Sequence, residues 1–143
     1  MKFKQSADSV EELIAIRPGA ECIQAANASQ AIPINEFISM SPGSSNAYLL
    51  HNASGRIVIN TGMGFESHTH KRLFDQVSNA STKYIILTQG HVDHVGGVAT
   101  FREQDTLVVA QESNQACQAD DARIGVVRIQ QSYIWFSHIM DQA

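Results

Sequence analysis

Two β-prone runs, residues 47–51 and 56–60, flank Asn52-Ala53-Ser54-Gly55, a polar turn closed by glycine, and that spacing predicts a β-hairpin. In the second run Ile57, Val58 and Ile59 are consecutive and apolar, the pattern of a strand covered on both faces. Thr61-Gly62-Met63-Gly64 breaks the run. Residues 67–77 then predict a helix, with Leu73, Phe74 and Val77 on one side and charge on the other. A strand over 84–87, a helix over 95–101, a strand over 107–110 and a helix over 111–119 follow. Alternation of this kind argues for a sheet with helices laid on it.

Upstream, residues 37–40 predict a short strand broken by Ser41-Pro42-Gly43. Ser9 and Glu12, in capping-box spacing, open a short helix that Pro18-Gly19 ends. Residues 20–33 carry only weak periodicity. The chain thus divides into an amino-terminal helix and linking segment, 1–34, and a domain, 35–143. Residues 124–140 mix β-branched and aromatic side chains and are too apolar to stand in water alone, so the tail is expected to fold back, incompletely, over the sheet.

With 143 residues there is room for one domain of ordinary size and not for a second. Ten basic against fourteen acidic residues give a net charge of −4, which provides no basic footprint for nucleic acid. No apolar run is long enough to span a membrane, and the start has two lysines with no apolar stretch behind them, so no secretory leader is expected. Cys22 and Cys117 are far apart and form no C-x-x-C pair. Two free thiols suit a reducing, cytoplasmic compartment.

The chemistry gathers on YIILTQGHVDHVGG, residues 84–97. A short strand ends in a polar loop with His91, Asp93 and His94, and Gly96-Gly97 follows at once. Imidazole nitrogen and carboxylate oxygen are ligands that zinc accepts at about 2.0–2.2 Å, and a loop can turn several toward one point. Neighbouring glycines let backbone approach without a Cβ in the way.

These residues resemble the H-x-H-x-D-H signature of the metallo-β-lactamase-fold hydrolases, usually preceded by a strand and Thr and followed by x-G-G. A second block, SSNAYLLHNASGRIVINTGMG at 44–64, lies where that family has its N-x-Y-L-L and I-D-T-G elements. Gln89 stands in place of the first histidine, and Asn60 in place of the aspartate of I-D-T-G. The resemblance implies an α/β (α+β) fold, the amino-terminal half of an αββα sandwich: a mixed sheet with helices on one face. It implies zinc, as one or two ions in the complete fold, with iron as a lesser alternative. His91 would join the first metal site, with Gln89 offering an amide oxygen there. Asp93 and His94 would serve the second, and Asp93 would also act catalytically by orienting a zinc-activated water.

The family's later ligands have no match past Asp93 and His94, so the resemblance covers residues 35–118, and the chain is expected to be a fragment or a half that needs a partner. Its other histidines are weaker candidates. His51 reads as a surface residue, His68 and His70 fall on a helix start, and His138 lacks the surroundings of a distal ligand. The function implied is a metal-dependent hydrolase of small ester, thioester, lactone, lactam or sulfate-ester substrates. The alternatives are a non-catalytic domain that keeps the sheet without a competent metal site, and redox chemistry at iron. An exposed sheet face would favour self-association.

Overall fold

A computed structural model describes residues 23–140 of the chain. The helix expected near Ser9 therefore lies outside the described residues. The hairpin is present: β3 (Ala47–Asn52) and β4 (Gly55–Ile59) run antiparallel, with Tyr48 opposite Ile59 and Asn52 opposite Gly55. On the far side of β3 lie β2 (Ile38–Ser41) and then β1 (Ile32–Pro33), both antiparallel to their neighbours. The two-residue β1 falls in a stretch whose sequence carried no signal.

Beyond β4 the direction of pairing changes. The chain passes through α1 (Ser67–Val77) and returns as β5 (Thr82–Leu87), parallel to β4, and β6 (Leu107–Ala110) adds parallel to β5. Parallel neighbours need such a crossover because a tight turn cannot reverse the chain twice. The result is one mixed six-stranded sheet in the order β1-β2-β3-β4-β5-β6.

The core lies on one face of that sheet. Alternate residues of three strands, Ala47 and Leu49, Val58, and Ile85 and Leu87, point into it, and Phe74 of α1 and Phe101 cover them. The two phenylalanine rings pack at a centroid distance of 6.1 Å. β4 is therefore buried on alternate positions and not on both faces, which corrects the reading drawn from its continuous apolar run. Val77 is exposed at the end of α1, so only Leu73 and Phe74 of the expected stripe reach the core. On the opposite face Tyr48, Leu50, Ile57, Ile59 and Ile86 are half-buried, and exposure rises toward the β6 edge. Tyr84 is 41% exposed, and β6, at the edge, is exposed along its whole length.

Arg56, only 3% exposed, ties α1 to the sheet from below. Its guanidinium donates to Asp75 Oδ1 at 2.7 Å, to the Ser78 carbonyl at 2.8 Å and to Thr82 Oγ1 at 3.0 Å. Partial burial would raise the Asp75 pKa, but hydrogen bonds from Lys71 and Arg56 outweigh it and hold the carboxyl below its ordinary value.

The helix expected over 95–101 is two short pieces, α2 (Val92–Val95) and α3 (Val98–Phe101), divided at Gly96-Gly97. The last predicted helix starts later than expected, as α4 (Asn114–Arg123). The tail is a helix as well, α5 (Gly125–Met140). Its described apolar residues Val126, Val127, Ile129 and Tyr133 are exposed and do not cover the sheet. No helix among the described residues is long and apolar enough to cross a membrane.

Candidate metal centre

Asn60 ends β4 with a positive φ of 56°, a left-handed conformation that asparagine adopts more readily than most residues. Its backbone N–H donates to Ile86 O at 2.9 Å, and its side-chain Oδ1 accepts from the N–H and hydroxyl of Thr88 at 3.0 and 3.1 Å. The ends of β4 and β5 are thereby clamped together. An acceptor oxygen in this conformation is what the position uses, and Asn60 supplies it without the family's carboxylate.

Thr61, fully buried, then holds the loop after β5. Its N–H and its hydroxyl both donate to the His94 carbonyl at 2.9 Å, and the hydroxyl accepts from Gly97 N–H at 3.1 Å. Gly97 N–H also reaches Gly62 O at 3.1 Å. A Cβ at Gly97 would lie 2.3 Å from Thr61 O, so glycine is required for this approach. Within the loop, His91 caps α2 in an extended conformation, and its carbonyl accepts from His94 and Val95 N–H. Asp93 and His94 consequently sit on one tight helical turn.

Their side chains meet. Around His94 Nε2 stand the Gln89 amide nitrogen at 2.7 Å, Asp93 Oδ2 at 3.1 Å and Ser45 Oγ at 3.4 Å. A single ring nitrogen carries at most one proton, so it cannot donate to the carboxylate and accept from the amide at once. A half-turn of the amide removes that conflict, since the Gln89 oxygen can then accept from a protonated Nε2, and the same oxygen, the imidazole nitrogen and the carboxylate oxygen are all donor types that one divalent ion accepts. The donor set therefore fits a metal. His94 Nδ1, by contrast, is buried and has no hydrogen-bond partner among the described residues.

The structure brings Gln89, Asp93 and His94 together, whereas exposed His91 stands with Cys117 and Asp121, whose donor atoms lie within 4.8 Å of its own. A model of the metallo-beta-lactamase superfamily matches residues 40–130, the span that holds this loop and the sheet beneath it. The chain belongs to the metallo-β-lactamase superfamily. Solved structures agree on the fold. A metallo-beta-lactamase from Cronobacter sakazakii (Enterobacter sakazakii), a mutant of its HARLDQ motif, matches 61% of this chain and 36% of its own at 23% identity and a TM-score of 0.56. BJP-1, a subclass B3 metallo-beta-lactamase of Bradyrhizobium japonicum, matches 65% and 37% at 20% identity and a TM-score of 0.58. FIM-1 from Pseudomonas aeruginosa, in a mono-zinc form, matches 65% and 46% at 16% identity and a TM-score of 0.52. The chain spans between 35% and 48% of the length of such relatives. A comparison with curated proteins gives no match.

Behind the loop of this metallo-β-lactamase domain lies a second layer of contacts, of which the sequence reading placed only His70, on the helix start where it is found. His70, fully buried in α1, shares a 2.6 Å hydrogen bond between its Nδ1 and Ser41 Oγ. A Cβ at Gly62, where φ is 71°, would lie 2.5 Å from the ring. Glu66, also buried, accepts from the N–H groups of Ser44 and Ala26, both at 2.8 Å, and from the Ser44 hydroxyl. These contacts brace the turn that carries Thr61, and the only sequence signal was the run of small residues in Ser41-Pro42-Gly43-Ser44. His68 is exposed and His51 half-buried, while the side chain of His138 lies outside the described residues.

Burial lowers the His70 pKa below its usual 6.5, with the Glu66 charge opposing only in part. The folded chain thus keeps His70 neutral while the unfolded chain takes up a proton below about pH 6.5. This contribution to stability is fully present above that pH and declines as the pH falls through it toward the folded value. Chemical denaturation across that window should show a shallower loss in His70→Gln than in the parent. Equal slopes would remove His70 as the cause.

Proposed function

We propose that this chain carries the metal loop of a metal-dependent hydrolase acting on small ester, thioester, lactone, lactam or sulfate-ester substrates. Zinc is the first choice of ion. The observation that carries the reading is the convergence of the Gln89 amide, Asp93 Oδ2 and Ser45 Oγ on His94 Nε2. Asp93, His94 and Gln89 would hold the ion, with His91 of the same loop able to turn toward it. A divalent ion at this place supplies a Lewis acid and brings the pKa of water from 15.7 to about 7.

The remaining work falls to the protein. Asp93 accepts a hydrogen bond from the attacking water at the carboxylate oxygen that His94 leaves free, and so aims the water's lone pair at the acyl or sulfuryl centre. Gly96 and Gly97 keep the loop low, and Asn60 and Thr61 fix its height above the strands. A panel of ester, thioester and lactone substrates, offered to the zinc-loaded chain with and without a chelator, tests the reading. Turnover that stops on chelation is expected, and turnover that survives chelation would overturn it.

A second reading, a non-catalytic domain of the superfamily, is favoured by one observation: among the described residues the cluster around His94 contains a single imidazole, because Gln89 replaces a histidine and His91 lies toward Cys117. In that case no substrate of the panel is turned over while the fold remains intact.

We further propose a cytoplasmic setting and self-association through the opposite sheet face toward β6, where Tyr84, Leu107 and Val109 are exposed. At about 25 cal/mol per Å² of apolar surface, covering a few hundred Å² is worth several kcal/mol. Light scattering coupled to size-exclusion chromatography should show dimers or larger species, with dye binding that falls as they form. A monomer at all concentrations would dismiss the interface.

A further inference from the structure

Cys117 has no part in the chemistry above. It precedes Asp121 by four residues on α4, about one helical turn, so both side chains leave the same face. That face presses on the metal loop. A Cβ at Gly90 would lie 3.0 Å from both Cβ and Sγ of Cys117 and 3.1 Å from the Asn114 carbonyl oxygen. Glycine at 90 is thus what lets the helix come so close, and the next residue is His91. One donor atom from each of His91, Cys117 and Asp121 lies within 4.8 Å of the other two. Asp121 Oδ1 also accepts from Arg128 Nη2 at 2.8 Å, which steadies the carboxylate from α5 and leaves its second oxygen for another ligand.

We propose that His91, Cys117 and Asp121 form a separate site for zinc or a similar borderline-soft divalent cation, one that staples α4 to the metal loop. Donors bonded at 2.0–2.3 Å in a tetrahedral shell are about 3.3–3.8 Å apart, so from separations of up to 4.8 Å these three need to close by about 1.5 Å at most. The exposed His91 ring has the freedom to do so, while the helix already presents the other two. A thiolate among the donors selects against hard cations such as magnesium and calcium. On binding, Cys117 loses its Sγ–H proton to solvent and the sulfur lone pair becomes the bond to the metal. Three protein ligands leave the fourth position to water. Neither Asp93 nor His94 belongs to this set; His91 is the one residue that both sites could claim, and Cys117 and Asp121 belong to this one alone, so a signal from the Cys117 sulfur reports this site and not the hydrolase ion.

The test uses the full chain with Cys22→Ser, which leaves Cys117 as the sole thiol, stripped of metal and titrated with cobalt(II). A sulfur-to-cobalt charge-transfer band in the near ultraviolet is expected. Cys117→Ser abolishes it, while His91→Ala and Asp121→Asn weaken binding by more than about tenfold, the range that loss of even an outer partner can produce. Asp93→Ala leaves the band in place. A parent chain with no band overturns the site, as does a band indifferent to His91→Ala and Asp121→Asn or one lost in Asp93→Ala. A second measurement needs no change at the site: zinc should slow alkylation of Cys117 by iodoacetamide more than about tenfold, on the same reasoning about ligand loss. Equal alkylation with and without zinc also overturns it.

Discussion

Gly97→Ala should destabilise the domain by about 3–5 kcal/mol and unseat the metal loop. The added Cβ would lie 2.3 Å from Thr61 O and 2.5 Å from Ser67 Cβ. Neither neighbour can yield. Thr61 is bound on both sides, to His94 and to Gly97, and Ser67 is buried with its hydroxyl bonded to Gly64 O and Thr100 Oγ1. Overpacking costs about 1–3 kcal/mol by itself. Moving Gly97 away also strands buried hydrogen-bonding groups at about 1–3 kcal/mol each. Against a usual total of about 5–15 kcal/mol, that is a large share. Gly125→Ala makes the control, since nothing lies within 4 Å of its added Cβ. Urea midpoints for the two variants should differ widely, and a Gly97→Ala midpoint close to that of the parent would show that the clamp is looser than its distances imply.

Asp93→Ala, in the zinc-loaded chain, should lower turnover of whichever substrate the panel identifies by at least about a hundredfold, since misplacing a reacting group by roughly 1 Å already costs that much. The change removes a carboxylate from beside His94 Nε2 and takes away the oxygen that aims the attacking water. Asp93→Asn keeps an oxygen acceptor and loses the charge, so it should retain more activity than alanine. The fold should not suffer, because Asp93 is only half-buried and the contacts that seat its helical turn are made by Thr61 and Gly97. Activity within a few-fold of the parent in Asp93→Ala would refute the role assigned to this side chain.

Much of this architecture was legible in the sequence, for reasons of local chemistry. α1 and β6 have the limits that their periodicity predicts, and Tyr84 to Gly97 gave both the strand and the loop that follows it. The departures arise where distant residues decide. Nothing near Gly96-Gly97 reveals that Thr61 and Gly62 pass beneath them, so a continuous helix was the natural reading and two short turns are the fact. Ile57 to Ile59 gave no sign that one face would be only half-buried, because a fully apolar run satisfies either environment. Ser45 reaches His94 from a loop before β3, and Cys117 and Asp121 reach His91 from a helix beyond β6. Such meetings depend on topology, which residue spacing does not encode.

The exposed outer strand β6 has a consequence for how the chain comes apart when heated. Leu107, Val108 and Val109 line a parallel edge whose outward N–H and C=O groups can template an added strand from another molecule. Chains that open in the heat would be captured there faster than they refold. Melting curves would then shift with scan rate and concentration, and resistance to heat would be set by a half-life and not by an equilibrium constant.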